Sequence, residues 1–328
     1  MLRFSSISDR PLSRLLMFIL ATVAAWNICR YWQTVQYTEG ALEKRAFQAA
    51  GLLLKRDPDT IILGSSHLWT GVSSAEFSRL AVNVSHGSND YTMIEHSLTH
   101  ALSQSDSIEF AIIELGVVPL YGNSVMRSRG LGFAAMGMNR MKWPRPLFLR
   151  VRRQIRDHLF GPFLDQPRLT PAGVIAFLEQ PPIPEYPPGF KPLPAERFRD
   201  NSKIRASSHA SRRRSGGHFS KNRGAVDQIL DLLEHHSVKS LWVIPPATKE
   251  YLQAMPNFCH EDLEELSGYL ANRPLVYIVD LNSWGAEHLS RSDFFDADHL
   301  NVNGAIKASK HLDQLINQLR EQQAVSPK

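Results

Sequence analysis

The sequence predicts an α/β fold built on a doubly wound parallel sheet. Short apolar runs alternate with amphipathic helical patterns along most of the chain, and this alternation is typical of parallel strands joined by crossover helices. Small or polar residues, namely Ser66, Gly87 and Gly116, follow the first three runs, where a doubly wound sheet carries its functional loops. The 328 residues are 43% hydrophobic, which is enough for one large domain.

The predicted elements follow the order expected for such a sheet. Five apolar runs predict strands: Thr60–Leu63, Ala81–Val84, Phe110–Ile113, Ser240–Ile244 and Leu275–Val279. Four amphipathic patterns predict helices: Met93–Ser103, Ala225–His235, Glu261–Ala271 and Val302–Leu319. The last helix is expected to begin after a cap at Asn301 or Asn303.

An apolar segment near the N-terminus predicts export across a membrane. Residues 15–33 follow three arginines and end in Arg30, Tyr31 and Trp32, a composition typical of a transmembrane anchor whose N-terminus stays inside. Residues 1–14 would then be a cytoplasmic tail and 34–57 a stalk. The alternative is a signal peptide cleaved after Thr22-Val-Ala24. Both interpretations place the domain at 58–328 outside the cytoplasm, in the periplasm or extracellular space.

Residues 122–223 interrupt the α/β pattern and predict an irregular insertion. They hold 12 of the 20 prolines, and 20 lysines and arginines against six acidic residues. This charge predicts contact with an anionic polymer, lipid head groups or an acidic partner; the alternative is a solvated loop. Arg212, Arg213 and Arg214 are the candidate substrate-binding residues. No nucleic-acid motif accompanies the basic residues, so nucleic acid is not an expected partner.

Two distant motifs supply the residues of a nucleophilic triad. Ser66 closes the turn Gly64-Ser65-Ser66 after the first strand, and the segment Asp296-Ala-Asp-His299 precedes the last helix. A serine nucleophile needs a base within hydrogen-bond reach, and the base needs a carboxylate to orient it. We therefore predict Ser66 as nucleophile, His299 as base and Asp296 as the orienting acid. Each motif alone is also common in ordinary turns and helix caps.

These motifs resemble those of the SGNH (GDSL-like) hydrolases. In that family the nucleophilic serine ends a block after the first strand, and the acid and base form a terminal Asp-x-x-His block. Gly64-Ser65-Ser66 and His299-Leu300-Asn301 are most similar to the membrane-tethered branch found in alginate O-acetylation and lipoteichoic acid D-alanylation. The resemblance covers residues 58–121 and 224–320. It implies a three-layer SGNH/flavodoxin-like sandwich and the same three catalytic roles.

The resemblance also implies donors for an oxyanion hole. The backbone N–H groups of Ser66 and Gly87 match two donors of the family. The family's third block carries an asparagine donor, but the strand Ala111–Gly116 continues here with Val117. Asn89 is a weaker candidate, because it lies too early in the chain for the third block.

The sequence thus predicts a membrane-anchored acyl-ester enzyme, an O-acyltransferase or esterase acting on a cell-envelope polysaccharide. No cofactor or metal is expected. An acyl donor and a membrane-bound O-acyltransferase are the partners that the resemblance implies. The alternative is a non-catalytic glycan-binding or assembly module with the same fold.

Three further residues receive structural assignments from the sequence. His67 is expected to be a first-turn or pocket-wall residue, Asp298 to face solvent, and Glu114 to be either a pocket carboxylate or a structural acid. His96 and His100 lie one helical turn apart and could bind a metal together with His86. No H-E-x-x-H motif or carboxylate ligand accompanies them, so a metal site is not expected there.

Overall fold

A computed structural model describes residues 50–122 and 190–325, apart from 52, 88, 196–197 and 215–217. The predicted tail, anchor and most of the stalk lie outside the described residues, as does the greater part of the proline-rich segment. Among the helices in the described ranges, none is both long and apolar enough to span a bilayer.

In the described part of the chain, five parallel strands form a single sheet, which confirms the predicted α/β class. The strands are β1 (Thr60–Leu63), β2 (Ala81–Asn83), β3 (Phe110–Glu114), β4 (Lys239–Ile244) and β5 (Val276–Asp280). Their order across the sheet is β2-β1-β3-β4-β5, and every neighbouring pair is parallel. This is one of the two common orders of doubly wound sheets, and it places the topological switch point between β1 and β3.

Helices alternate with the strands along the chain. They are α1 (Ser66–Gly71), α2 (Tyr91–Gln104), α3 (Val117–Tyr121), α4 (Ser202–Arg214), α5 (His218–His235), α6 (Lys249–Ala254), α7 (Asn257–Ala271), α8 (Leu281–His288) and α9 (Val302–Val325). Single 3-10 turns lie at Ser74–Glu76 and Arg291–Asp293.

The helices cover both faces of the sheet, as a doubly wound fold requires. On β1, Ile61 and Leu63 point to one face and pack in a cluster with α2, α5 and α7. Ile62 points to the other face, where it packs in a second cluster with α9 and Leu68 of α1. Because alternate residues of a strand face opposite sides, a fully apolar run such as Thr60–Leu63 is buried on both.

One prediction about the middle segment is wrong. The sequence suggested an irregular insertion as far as residue 223, but α4 and the start of α5 are regular helices within it. Ala206 and Ala210 of α4 are buried in the same cluster as β1 and α2. The end of the basic segment is therefore part of the α/β core.

Candidate active site

The serine turn follows β1 at the switch point of the sheet. Gly64 leaves the strand, and Ser65 caps α1, accepting a hydrogen bond on its side-chain oxygen from the His67 N–H. Ser66 is the first helical residue and is partly exposed, whereas Ser65 is fully buried. The turn therefore leaves Ser66 partly exposed and keeps Ser65 inside.

The structure brings Ser66, His299 and Asp296 into one hydrogen-bonded chain. His299 Nε2 lies 2.9 Å from Ser66 Oγ, and His299 Nδ1 lies 2.9 Å from Asp296 Oδ1. If Nδ1 carries the proton, it donates to the carboxylate and leaves Nε2 to accept from the serine. This is the connectivity of a Ser-His-Asp triad, and the catalytic role of the three residues remains a prediction.

The turn from Asp296 to His299 is fixed by local and distant hydrogen bonds. Asp296 Oδ1 also accepts from the backbone N–H of His299 at 2.9 Å, so one carboxylate oxygen contacts both the backbone and the ring of the same histidine. The Ala297 carbonyl accepts from the Thr248 N–H and Oγ1 at 2.8 and 3.0 Å. Such support limits the movement of the base relative to its carboxylate.

Asn301 ends this turn and begins α9, as one of the two predicted caps. Its Oδ1 accepts from the N–H groups of Asn303 and Gly304, while its Nδ2 donates to the Ser292 carbonyl at 2.6 Å. The side chain is fully buried. Asn301 thus holds the base turn and the helix start in one fixed arrangement.

Glu114 lies at the end of β3, directly behind the serine turn. Its Oε2 accepts from the Ser65 N–H at 2.6 Å, and its Oε1 accepts from Ser65 Oγ at 2.8 Å. A Cβ atom on Gly64 would lie 2.8 Å from Glu114 Oε2, so the glycine permits this close approach. The carboxylate is therefore a buried anchor of the nucleophile turn, which agrees with the structural acid of the two assignments made from the sequence.

His67 connects this anchor to the base turn. Its Nδ1 lies 2.8 Å from Glu114 Oε1 and its Nε2 lies 3.0 Å from Asp298 Oδ2. The predicted position in the first turn of α1 is confirmed, but the ring also bridges two carboxylates. Burial disfavours charge on His67, yet Glu114 and Asp298 together raise its pKa from 6.5 to about 10.

Asp298 does not face solvent, so that prediction is wrong. It is 2% exposed and accepts from Arg205 of α4, whose Nε donates to Oδ1 and whose Nη2 donates to Oδ2 at 3.0 Å. Burial alone would raise the pKa of Asp298, but His67, His299 and Arg205 hold that pKa well below its usual range. The carboxylate is buried because two cationic side chains satisfy it.

A third histidine borders the same carboxylate. His209 of α4 places Nδ1 2.8 Å from Tyr251 Oη and 3.6 Å from Asp298 Oδ2. Burial is the main reason that the pKa of His209 lies well below its ordinary value, and the positive charges of His67, Arg205 and Arg212 act in the same direction. His209 is therefore neutral at physiological pH.

Two predicted oxyanion donors lie on adjacent turns of the site. The His86 N–H donates to the Gly64 carbonyl at 3.1 Å, which sets the loop carrying Gly87 against the serine turn. The ring of His86 also stacks on Trp69 of α1, with centroids 5.2 Å apart. Within the described residues, the N–H groups of Ser66 and Gly87 donate to no other group, and their role as oxyanion donors remains a prediction.

The other candidate donor, Asn89, is buried beside the start of α2. Its N–H donates to the His86 carbonyl at 3.1 Å, but no contact in the described structure joins its side chain to Ser66 or His299. The position of the family's third block is occupied by α3, in which Val117 and Val118 are buried. The missing asparagine thus has no replacement on this element.

The predicted substrate-binding arginines lie at the end of α4, not in a polar loop. Arg213 forms a bidentate pair with Asp262 of α7, at 2.7 Å from Nε and 2.9 Å from Nη2. Its guanidinium also lies 5.0 Å from the centre of the Phe258 ring. These contacts make Arg213 a link between two helices. Arg212 is partly exposed, and Arg214 is the last residue of the helix.

Asp296, Asp298 and His299 have one ligand atom each within 4.8 Å of the others, a spacing at which a cation can be held. Arg205 opposes this, because its Nη1 lies 3.9 Å from Asp296 while its other nitrogens contact Asp298. A guanidinium already supplies the positive charge that a metal would bring. The donor set fits an organic base and its acids better than a metal centre.

No family model matches this chain, and no curated protein matches its sequence. The geometry of the site therefore carries the functional argument.

Three residues of the site, Asp298, Arg205 and His209, were missed or misassigned at the level of sequence, whereas Glu114 was assigned as an acid with two possible roles. Glu114 had a usable signal, because an acid that ends a buried strand must find partners. The motif Asp296-Ala-Asp-His299 contains Asp298 but does not show which acid faces the base. Arg205 and His209 lie about ninety residues from that motif in a segment rich in charge, and nothing in their spacing distinguishes them.

Proposed function

We propose that this chain is a serine-dependent acyl-ester enzyme. The observation that carries the proposal is the continuous chain from Ser66 through His299 to Asp296, with both hydrogen bonds at 2.9 Å. The nucleophile lies at the start of a helix and at the switch point of a parallel sheet, which is where such folds bind their ligands. The nucleophile is partly exposed, whereas its orienting groups are buried.

In the proposed reaction, Ser66 Oγ attacks the carbonyl carbon of an acyl ester as His299 Nε2 takes its proton. Asp296 holds the imidazole and stabilises its charged form. The N–H groups of Ser66 and Gly87 stabilise the oxyanion of the tetrahedral intermediate. His299 then returns the proton to the departing alkoxide, which leaves an acyl-serine and an alcohol.

The second half of the reaction determines whether the enzyme is a transferase or a hydrolase. Activated by His299, a sugar hydroxyl or a water molecule attacks the acyl-serine and regenerates Ser66. The resemblance to tethered SGNH proteins favours transfer to a cell-envelope polysaccharide, with a membrane-bound O-acyltransferase as partner. Residues 15–33 favour a single-pass anchor in the cytoplasmic membrane and an extracytoplasmic domain.

A second candidate function is a non-catalytic module of the same fold. It is favoured by α3, where apolar buried side chains replace the amide donor expected in the third block. In an enzyme, the loss of one oxyanion donor costs about 3–4 kcal/mol of transition-state stabilisation. A protein that only binds its glycan stabilises no such transition state and does not need the donor.

Hydrolysis of an aryl acetate by the purified full-length protein separates these functions. Ser66→Ala and His299→Ala should each lower kcat by roughly 10⁴–10⁶-fold, and the double variant should lose little more, because a triad acts as a unit. Ser107→Ala, at the amino end of the strands and away from Ser66, is the control and should retain full activity. Equal rates for wild type and Ser66→Ala would favour the binding module.

A further inference from the structure

A compact group of charged side chains lies behind the triad. It contains three carboxylates, Glu114, Asp296 and Asp298, and two cations, His67 and Arg205. All three carboxylates are buried, and Glu114 is fully so. Buried charges must balance closely, since the interior screens them weakly.

The charge on His67 follows from its geometry. Each ring nitrogen faces a carboxylate oxygen, at 2.8 Å on Glu114 and 3.0 Å on Asp298. A neutral imidazole has one donor, so only the imidazolium can donate in both directions. The bridging position therefore requires a positive charge at His67.

These charges leave the resting site one positive charge short of balance. Three carboxylates against His67 and Arg205 give a net charge of about −1 when His299 is neutral. Proton uptake by His299 would then neutralise the group. Asp298 contributes directly to this, since its Oδ1 lies 3.5 Å from His299 Nδ1, and the rings of His67 and His299 lie 5.0 Å apart.

We propose that His67, Asp298 and Arg205 are positioning residues that tune the proton uptake of His299 and clamp its turn to the nucleophile turn. This role rests on the proposed function of His299 as the general base. His67 joins the serine turn to the base turn through Glu114 and Asp298, while Arg205 ties α4 to both aspartates. None of the three contacts the reacting atoms in this arrangement.

The proposal predicts shifts of opposite sign for opposite charges. Asp296 and Asp298 on its own turn and Ser66 and His67 on α1 lie against His299. Behind them, Arg205 and His209 on α4, Glu114 on β3 and Tyr251 on α6 contact these groups or one another. Removing a cation should make proton uptake easier. Removing a carboxylate should make it harder.

The test is an NMR titration of the full-length protein labelled with ¹⁵N-histidine. Relative to wild type, Arg205→Gln should move the pH midpoint of the His299 ring signals up, and Asp298→Asn should move it down, each by roughly one pH unit. Arg79→Gln, which removes an exposed arginine charge ahead of β2, should leave the midpoint unchanged. His67 should show two ring N–H signals at neutral pH.

Shifts of the same sign in Arg205→Gln and Asp298→Asn, or no shift in either, would overturn the proposal. Should Asp298→Asn not fold, the sign of the Arg205→Gln shift decides the question alone, because His67 still satisfies Asp298 in that variant. The titration needs no turnover, so its failure is distinguishable from a failure of the proposed enzyme activity. Loss of aryl acetate hydrolysis with normal shifts would leave the charge relation intact and remove the catalytic function.

Discussion

His67 shows how one residue can have both a local and a distant role. Its place beside the serine predicts a first-turn residue, and it is one, but its partners come from β3 and from the turn before α9. These partners lie 47 and 231 residues away in sequence. The residue type and local pattern give no information about contacts of that range.

The buried charge of His67 predicts a specific dependence of stability on pH. Its pKa rises from 6.5 to about 10 on folding, so the folded state binds the proton more tightly. The resulting stabilisation is complete below pH 6.5, decreases as the pH rises, and is lost above about pH 10. The thermal unfolding midpoint of wild type should therefore fall over this range.

The matched comparison for this pH dependence is His67→Gln. The thermal unfolding midpoint of this variant should be lower than that of wild type near pH 6.5, and the difference between the two midpoints should narrow toward pH 10. His235→Gln replaces an exposed histidine at the end of α5 and should follow the wild-type curve. Parallel curves for wild type and His67→Gln would show that the imidazolium does not stabilise the fold.

The elements of the sheet were predictable because their sequence signal is strong. Strand β1 was predicted at its observed bounds, β2, β3 and β4 differ from their predictions by one residue at one end, and β5 is shifted by one residue at both ends. A mostly apolar run is most readily buried in a strand that is covered on both faces of a parallel sheet. The start of α9 was predictable for a different reason, since Asn301 is a good cap.

Helix α4 was not predictable from the same signals. Its sequence, SKIRASSHASRRR, offers only Ile204, Ala206 and Ala210 as apolar residues, and Ile204 is 76% exposed. The buried face is instead built from small alanines and from His209 and Arg205, which point toward the site. Such a face forms because its polar groups find partners, and this cannot be read from hydrophobic periodicity.

The contacts of Arg213 predict a structural effect at the level of helix packing. Asp262 accepts two hydrogen bonds from Arg213 and a third, at 2.5 Å, from Tyr121 Oη of α3. Arg213→Gln should lower the free energy of unfolding by roughly 1–3 kcal/mol, because hydrogen bonds to a charged group are lost. Denaturant unfolding measures this difference.

Lys203→Gln is the control for the same helix, because Lys203 is exposed and makes no polar contact in the described structure. It should change stability by less than about 0.5 kcal/mol. If Arg213→Gln retains wild-type stability but weakens binding of an anionic polysaccharide, the original assignment of Arg213 to substrate binding would be correct.

At the scale of the whole molecule, the parallel sheet explains how the site is assembled. The carboxyl ends of β1 and β3 meet at the switch point, so Ser65 and Glu114 become neighbours. Helix α9 packs on the face of the sheet that Ile62 lines, and the turn before this helix places His299 beside Ser66. The grouping of Ser66, His299 and Asp296 could be predicted because its motifs are local. The charged group behind it could not, because its five side chains come from four distant segments.

The predicted membrane anchor leads to a prediction about the topology of the whole protein. A fusion of alkaline phosphatase to the C-terminus should be active in a bacterial host, and the protein should sediment with membranes, because the arginines before residue 15 favour an inside N-terminus. Replacing those arginines with glutamates is the informative variant and should reduce phosphatase activity. Release of the wild-type domain into the soluble fraction would identify residues 15–33 as part of a cleaved signal peptide.

The proposal that Ser66 is an activated nucleophile underlies the proposed function. Its most direct test is reaction of the full-length protein with a fluorophosphonate, followed by mass spectrometry of the labelled peptide. The adduct should map to Ser66, should be absent in Ser66→Ala, and should form far more slowly in His299→Ala. Labelling at another serine, or equal labelling of wild type and His299→Ala, would contradict the activation of Ser66 by His299.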